Sequence, residues 1–363
     1  MATRTEPVAR GAGGGAATGT VRPLDEFERR LIDGWQRGFP LCERPYATIA
    51  RRLGTDEDEV LSALSDRLAD GVVSRIGAVF RPNIVGASTL AAIRVPRERL
   101  EEVAALVSAR AEVNHNYERE HAINLWFVAA AQDEQRLHEA LEAIERESGL
   151  DVLRLPLERD YWIDLGFGMD GVVAHRTRTS RGRASPGPVV LDARDERLIA
   201  ALDDGLAPVS RPYDELARRA DLTEAYVCVR IADWPNRGVI NRFGLVVRHR
   251  PLGWTANAMC VWDVPAGEVD ALGAALAAEQ GVTLAYRRAR ADGWPYNLYA
   301  MIHGCDRDAV TARREAIAAT LGLDRHRHDV LFSLAAYKQR GARYGRGDGR
   351  TPTHRRPPSS AVT

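Results

Sequence analysis

His115, Tyr117, Arg119 and His121 stand at alternate positions in the stretch Val113 to His121, which runs directly into Ala122 to Val128. Read as a β-strand, that spacing places all four side chains on one face. Two imidazoles, a phenol and a permanent guanidinium in one row can hold an anionic ligand and deliver a proton to it. A lone row of this kind would read as a solvated edge strand. A second row weakens that reading: Tyr286, Arg288 and Arg290 repeat the alternation, and Tyr296-Asn297-Leu298-Tyr299 echoes Asn124-Leu125-Trp126.

The second row belongs to a longer internal repeat. Leu24-Asp25 recurs as Leu191-Asp192, Arg44-Pro45-Tyr46 as Arg211-Pro212-Tyr213, and Ala50-Arg51-Arg52 as Ala217-Arg218-Arg219, all at an offset of 167. Gly71 and Gly77 recur as Gly238 and Gly244 at the same offset, and Tyr117 and Arg119 meet Tyr286 and Arg288 at 169. The chain is therefore two diverged copies of one module in tandem.

Each copy opens with helical periodicity. Phe27, Leu31, Ile32 and Trp35 share a face, Pro45 starts a second helix, and Thr55 with Asp58 forms a capping-box-like start to a third. Val72 to Phe80 reads as a strand hairpin, making a winged helix-turn-helix over 24–83 that recurs over 191–252, where Trp234-Pro235 is expected to break the third helix. The rest of each copy, 84–165 and 253–340, alternates as βαββαβ, a ferredoxin-like order. The fold class is thus α+β. Residues 1–23 read as disordered, 166–190 as a Gly/Ser/Pro-rich linker and 341–363 as a basic tail.

Composition excludes several classes. Lys+Arg and Asp+Glu are both 50, unlike the basic excess of a dedicated nucleic-acid binder. No run approaches the roughly 20 apolar residues of a membrane span, and the N-terminus lacks a secretory core, so a cytoplasmic protein is expected. Cys42, Cys228, Cys260 and Cys305 are far apart, which argues for reduced thiols and against a cysteine-built metal site. Of the remaining histidines, His138, His175, His249 and His354 read as structural or linker-borne. His326 and His328 share a face, but a metal site there is not expected.

A winged helix followed by a ferredoxin-like domain resembles the Lrp/AsnC regulators, whose first module binds DNA. The charges oppose that role here. The third helix begins Thr55-Asp56-Glu57-Asp58-Glu59 and continues to Asp66 and Asp70 with only Arg67 against them; the second copy offers only Arg230 from Leu222 to Asp233. Carboxylates facing a polyanion oppose binding, so specific DNA recognition is not expected.

The residues from Asn114 to Phe127, with Tyr286-Arg287-Arg288, Trp294 to Gly304 and Tyr337 to Tyr344, resemble the siroheme decarboxylases of the heme d1 and alternative heme pathways. The resemblance covers nearly all of 24–344. It implies two paired subunits fused into one pseudo-heterodimeric chain, with room for a homodimer of such chains. It also implies a reaction: loss of the C12 and C18 acetate carboxyls of siroheme as carbon dioxide, giving 12,18-didecarboxysiroheme.

The residue types suit that reaction. A polycarboxylate needs fixed cations, and Arg119, Arg287, Arg288, Arg290, Lys338, Arg340 and Arg343 are the supply. A proton must reach the carbon that loses its carboxyl, and His115 and His121 are the expected acids, with Tyr117 and Tyr286 as hydrogen-bonding partners. Trp126, Trp294 and Tyr299 offer an apolar wall that desolvates the departing carboxylate. No cofactor is expected beyond the iron that siroheme carries. The copies differ: Leu284 replaces His115, His303 stands on the following strand as a substitute, and Trp162 stands where Lys338 does, so unequal sites are expected. A ligand-sensing regulator and a tetrapyrrole binder without turnover are the alternatives.

Overall fold

A computed structural model describes residues 22–163, 166, 189–248 and 250–342. The expectations for 1–21, for most of the linker, for the tail from Arg343 onward, and for His175, His249 and His354 lie outside the described residues. Among the described residues no helix is long and apolar enough to cross a membrane.

The first head comprises α1 (Glu26–Gly34), α2 (Pro45–Leu53), α3 (Glu57–Ala69) and β1 (Val73–Phe80); the second comprises α6 (Ala193–Ala201), α7 (Pro212–Ala220), α8 (Glu224–Arg237) and β6 (Ile240–Val247). Local chemistry sets the boundaries. Asp25 and Asp192 close capping boxes with Glu28 and Asp195, and Pro45 and Pro212 occupy first turns. The cap of α3 is Asp56, which accepts from the Glu59 amide at 2.8 Å; the Thr55 hydroxyl bonds the Glu59 carboxylate instead. Pro235 does not break α8. It sits in the last turn, where few hydrogen bonds remain to be lost, and Gly238 ends the helix in a left-handed conformation.

The expected wing hairpins are also absent among the described residues. Each head contributes one strand, and β1 pairs antiparallel with β6 across the repeat, with Gly77 opposite Gly244. The two heads share a single core that holds Tyr46, Tyr213, Trp234 and Leu245. They are tied reciprocally: Tyr46 Oη donates to Ala207 O at 2.9 Å and Tyr213 Oη to Pro40 O at 2.8 Å.

The βαββαβ order holds in both halves: β2 (Ala87–Ile93), α4 (Leu100–Ala109), β3 (Val113–Arg119), β4 (Leu125–Ala131), α5 (Glu134–Ser148) and β5 (Val152–Ile163), then β7 (Ala256–Trp262), α9 (Val269–Ala278), β8 (Val282–Arg288), β9 (Leu298–Gly304), α10 (Arg307–Leu321) and β10 (His328–Gln339). The halves do not remain separate sheets. β5 pairs with β8 and β10 with β3, closing one barrel in the order β10-β3-β4-β2-β5-β8-β9-β7. Alternation divides the strands' side chains. Ala91, Phe127, Cys260 and Ala300 pack outward under the helices, whereas Leu90, Trp126, Met259 and Met301 point into the barrel. Eight strands enclose room for side chains and one small ligand.

Candidate active site

The barrel interior opens as a cavity of about 320 Å³, roofed by the β1–β6 pair and by residues 339–342. Both sequence rows reach this one cavity, through His115, Tyr117 and Arg119 on one side and Tyr286 and Arg288 on the other, so the expected two unequal sites are one site with unequal walls.

Tyr117 and Arg119 project inward from β3, and Tyr286 and Arg288 from β8. Each guanidinium lies over the tyrosine two residues before it, at 5.6 Å for Arg119 and 4.6 Å for Arg288. Each also crosses to the other half: Arg119 Nη1 donates to Leu331 O at 3.0 Å, and Arg288 Nη1 to Leu155 O at 2.7 Å. Burial lowers both guanidinium pKa values, but arginine starts so high that both stay charged. Among the described residues the buried Nε atoms of Arg119 and Arg288 have no hydrogen-bond partner. A buried cation with spare donors is set to receive an anion. Burial raises the Tyr117 pKa, against the pull of Arg119, Arg250 and Arg248, so the phenol stays a donor.

His115 lines the cavity one pleat above Tyr117, the two rings stacked at 6.1 Å. Its Nδ1 lies 3.0 Å from Asn114 Oδ1. Burial, reinforced by the charge of Arg75, pushes this imidazole down to about 4, so it is neutral at pH 7. His303 lines the other half from β9, its Nδ1 2.9 Å from Thr283 Oγ1, with Asn257 opposite it on β7. Trp126 forms part of the apolar wall, its indole N–H donating to Ile123 O at 2.7 Å.

Several expected residues lie elsewhere. β3 ends at Arg119, so His121 falls in the following turn, out of the alternation. Its Nδ1 accepts from the Ile123 amide at 2.9 Å and its Nε2 lies 3.3 Å from Asp329, away from the cavity lining. Trp294 forms a layer behind Trp126, with ring centroids 5.0 Å apart, and bonds Tyr299 Oη. Arg287 alternates outward to Glu158 and Asp270, and Arg290, beyond the end of β8, pairs with Asp263. Lys338 Nζ donates to Ser108 O at 2.6 Å and Arg110 O at 2.7 Å at the C-terminal end of α4. Arg340 lines the cavity mouth and bonds Ala111 O; Arg343 is outside the described residues. The polar lining residues that sequence does not point to include Arg75 on β1, Arg248 just past β6, and Asn257, only 3% exposed with an unpartnered Nδ2 among the described residues. Arg75 and Arg248 reach the cavity only because β1 pairs with β6 of the other copy, a contact with no local sequence signal. Among the described residues no three His, Cys, Asp or Glu side chains gather to hold a metal ion.

The comparisons with known proteins follow the repeat. Residues 28–73 and 195–240 match the siroheme decarboxylase NirDL-like HTH domain, and 85–161 and 251–338 match the AsnC-like ligand binding domain. The siroheme decarboxylase NirDL subunit of Paracoccus denitrificans is 46% identical over 324 residues, covering 88% of this chain and 97% of that one. The separate NirD subunit of Pseudomonas aeruginosa siroheme decarboxylase is 48% identical over 147 residues, covering 40% of this chain and 98% of its own. A crystal structure of siroheme decarboxylase NirDL in co-complex with an iron-uroporphyrin III analogue matches with a TM-score of 0.61 at 27% identity, covering 88% of this chain and 93% of that one. The chain belongs to the siroheme decarboxylase family.

Proposed function

We propose that this chain is a siroheme decarboxylase, a carboxy-lyase, and that the carboxyls it removes are the C12 and C18 acetates, yielding 12,18-didecarboxysiroheme for heme d1 or alternative heme synthesis. The observation that carries this reading is the convergence of two Tyr–Arg pairs and two histidines on one barrel cavity. Arg119, Arg288 and Arg340 clamp carboxylates that stay on the ring. The departing acetate lies against Trp126, Met259 and Met301, where lost hydration favours neutral carbon dioxide over the carboxylate. As the C–C bond breaks, its electron pair is left on the methylene carbon and spreads into the macrocycle. A proton from His115 or His303 then completes a methyl group.

The low pKa of His115 fits this scheme. Burial, and after it the charge of Arg75, holds this imidazole neutral; a carboxylate placed beside it favours the imidazolium against both, so the imidazole gains its proton together with the substrate. His121, held between Asp329 and the Ile123 amide, is not an acid in this scheme. No resident cofactor takes part; the iron arrives with the substrate.

Both barrel seams close within one chain, so the pseudo-heterodimer is the working unit and a homodimer would need another surface. DNA recognition is not part of the function, because α3 begins with Glu57, Asp58 and Glu59 and the wings pair with each other. A cytoplasmic setting suits a tetrapyrrole intermediate. The test is anaerobic incubation with siroheme followed by mass analysis. Loss of two carbon dioxide units supports the reading, and binding without any mass loss would replace it with a tetrapyrrole carrier.

A further inference from the structure

Besides the histidines, the two walls of the cavity differ in an ion pair. Arg81, just past β1, directs Nη2 to both carboxylate oxygens of Asp160 at 3.3 Å and is absent from the cavity lining. Its equivalent at the repeat offset of 167 is Arg248, and the two backbones match: Arg81 N bonds Val239 O, and Arg248 N bonds Val72 O. Asp160 sits opposite Tyr286 on β8, and the residue opposite the equivalent Tyr117 is Ala336. The second half therefore has the arginine without the aspartate.

The consequence is visible in the side chain. Arg248 lines the cavity, no carboxylate pairs with it among the described residues, and its buried Nε has no hydrogen-bond partner. It rests against Gly71, where φ is +79° and a Cβ would lie 2.8 Å from Nη1. A partly desolvated guanidinium with spare donors gains most from an incoming carboxylate.

We propose that Arg248 is the specificity-determining clamp that fixes which way round the substrate lies in the pseudo-symmetric barrel, by gripping a ring carboxylate that its locked equivalent Arg81 cannot reach. The inference rests on the proposed siroheme reading. The paired arginines Arg119 and Arg288 offer nearly equal grips to a ring and to the same ring turned over, and a cation present on one wall only removes that ambiguity. Arg248 acts on orientation and affinity and is a positioning residue.

The experiment is an anaerobic absorbance titration of the full chain with siroheme, and with iron-uroporphyrin III as a probe. Arg248→Gln should weaken binding by about tenfold or more, the scale of one lost charge-assisted hydrogen bond. Ala336→Asp, which recreates the Asp160 lock, should weaken binding similarly in the wild-type background and add nothing in the Arg248→Gln background. Arg81→Gln should bind within about twofold of wild type on the same scale. Equal losses in Arg81→Gln and Arg248→Gln, or wild-type binding in Arg248→Gln, would overturn the proposal. Should Ala336→Asp fail to fold by circular dichroism, the comparison of the two glutamine variants decides. If the wild-type chain binds neither tetrapyrrole, the failure belongs to the functional reading instead.

Discussion

Arg119 of the first half donates Nη1 to the carbonyl oxygen of Leu331 in the second half at 3.0 Å, so a cavity-facing cation is fixed by the strand that closes the barrel. Arg288 is held the same way by Leu155 at 2.7 Å. Each half thus orients the other half's cation, and a single half cannot complete its own wall. Arg119→Lys keeps the charge but loses the planar fork that serves Leu331, Tyr117 and a carboxylate together. Its kcat/KM for siroheme should fall about tenfold or more, with Arg288→Lys close behind. Steady-state kinetics on both variants checks this, and a wild-type value for either removes that arginine from the clamp.

His115 and His303 are not equivalent positions in the repeat, since Leu284 replaces the first and Ala130 the second across the matching strands. Each would protonate one carbon. His115→Ala and His303→Ala should each slow one decarboxylation by about 10²- to 10⁴-fold while sparing the other, so a monodecarboxylated species accumulates. His121→Ala should retain near-wild-type turnover. Mass analysis of timed quenches distinguishes the outcomes. Unchanged double decarboxylation in His115→Ala, or loss of all turnover in His121→Ala, would reverse the assignment.

Much of this was legible in the sequence, and the failures have physical causes. The repeat, the βαββαβ halves and the inward face carrying His115, Tyr117 and Arg119 all follow from spacing. Alternation holds only while the strand lasts: His121 and Arg290 lie beyond the ends of β3 and β8, so the period of two does not carry them onto the inward face. Arg287 lies on the opposite face by the same rule and went to surface ion pairs. Arg75 and Arg248 could not be found this way. Their place at the cavity mouth depends on β1 pairing with a strand of the other copy, which leaves no local signal.

The pH dependence follows from His115, whose pKa is depressed to about 4 in the folded protein. The unfolded chain binds a proton there near the ordinary value of about 6.5, so between that pH and about 4 the unfolded state holds more protons. Stability is present above that window and is lost as pH falls through it. His115→Gln should flatten the fall in urea midpoint across this range. The bound state predicts the complementary effect: siroheme binding at neutral pH should take up a proton, seen by calorimetry in buffers of different ionisation enthalpy. Equal uptake in wild type and His115→Gln would place that proton elsewhere.

Gly77 and Gly244 face each other across the β1–β6 pair yet meet different surroundings. A Cβ on Gly77 would lie 3.6 Å from Gly205 Cα, an ordinary contact, whereas one on Gly244 would strike the carbonyl oxygens of Trp35 and Gln36. Those oxygens cannot move cheaply, since Trp35 O accepts from the Leu245 amide at 2.8 Å and Gln36 O accepts from Arg242 Nη1 at 2.5 Å. Gly244→Ala should therefore cost about 1–3 kcal/mol and loosen the roof over the cavity, raising KM for siroheme along with lowering Tm. Gly77→Ala, at its register partner, should leave both nearly unchanged. Thermal melts and kinetics on the two variants check this, and equal effects at the two positions would show that the roof does not depend on the close approach at Gly244.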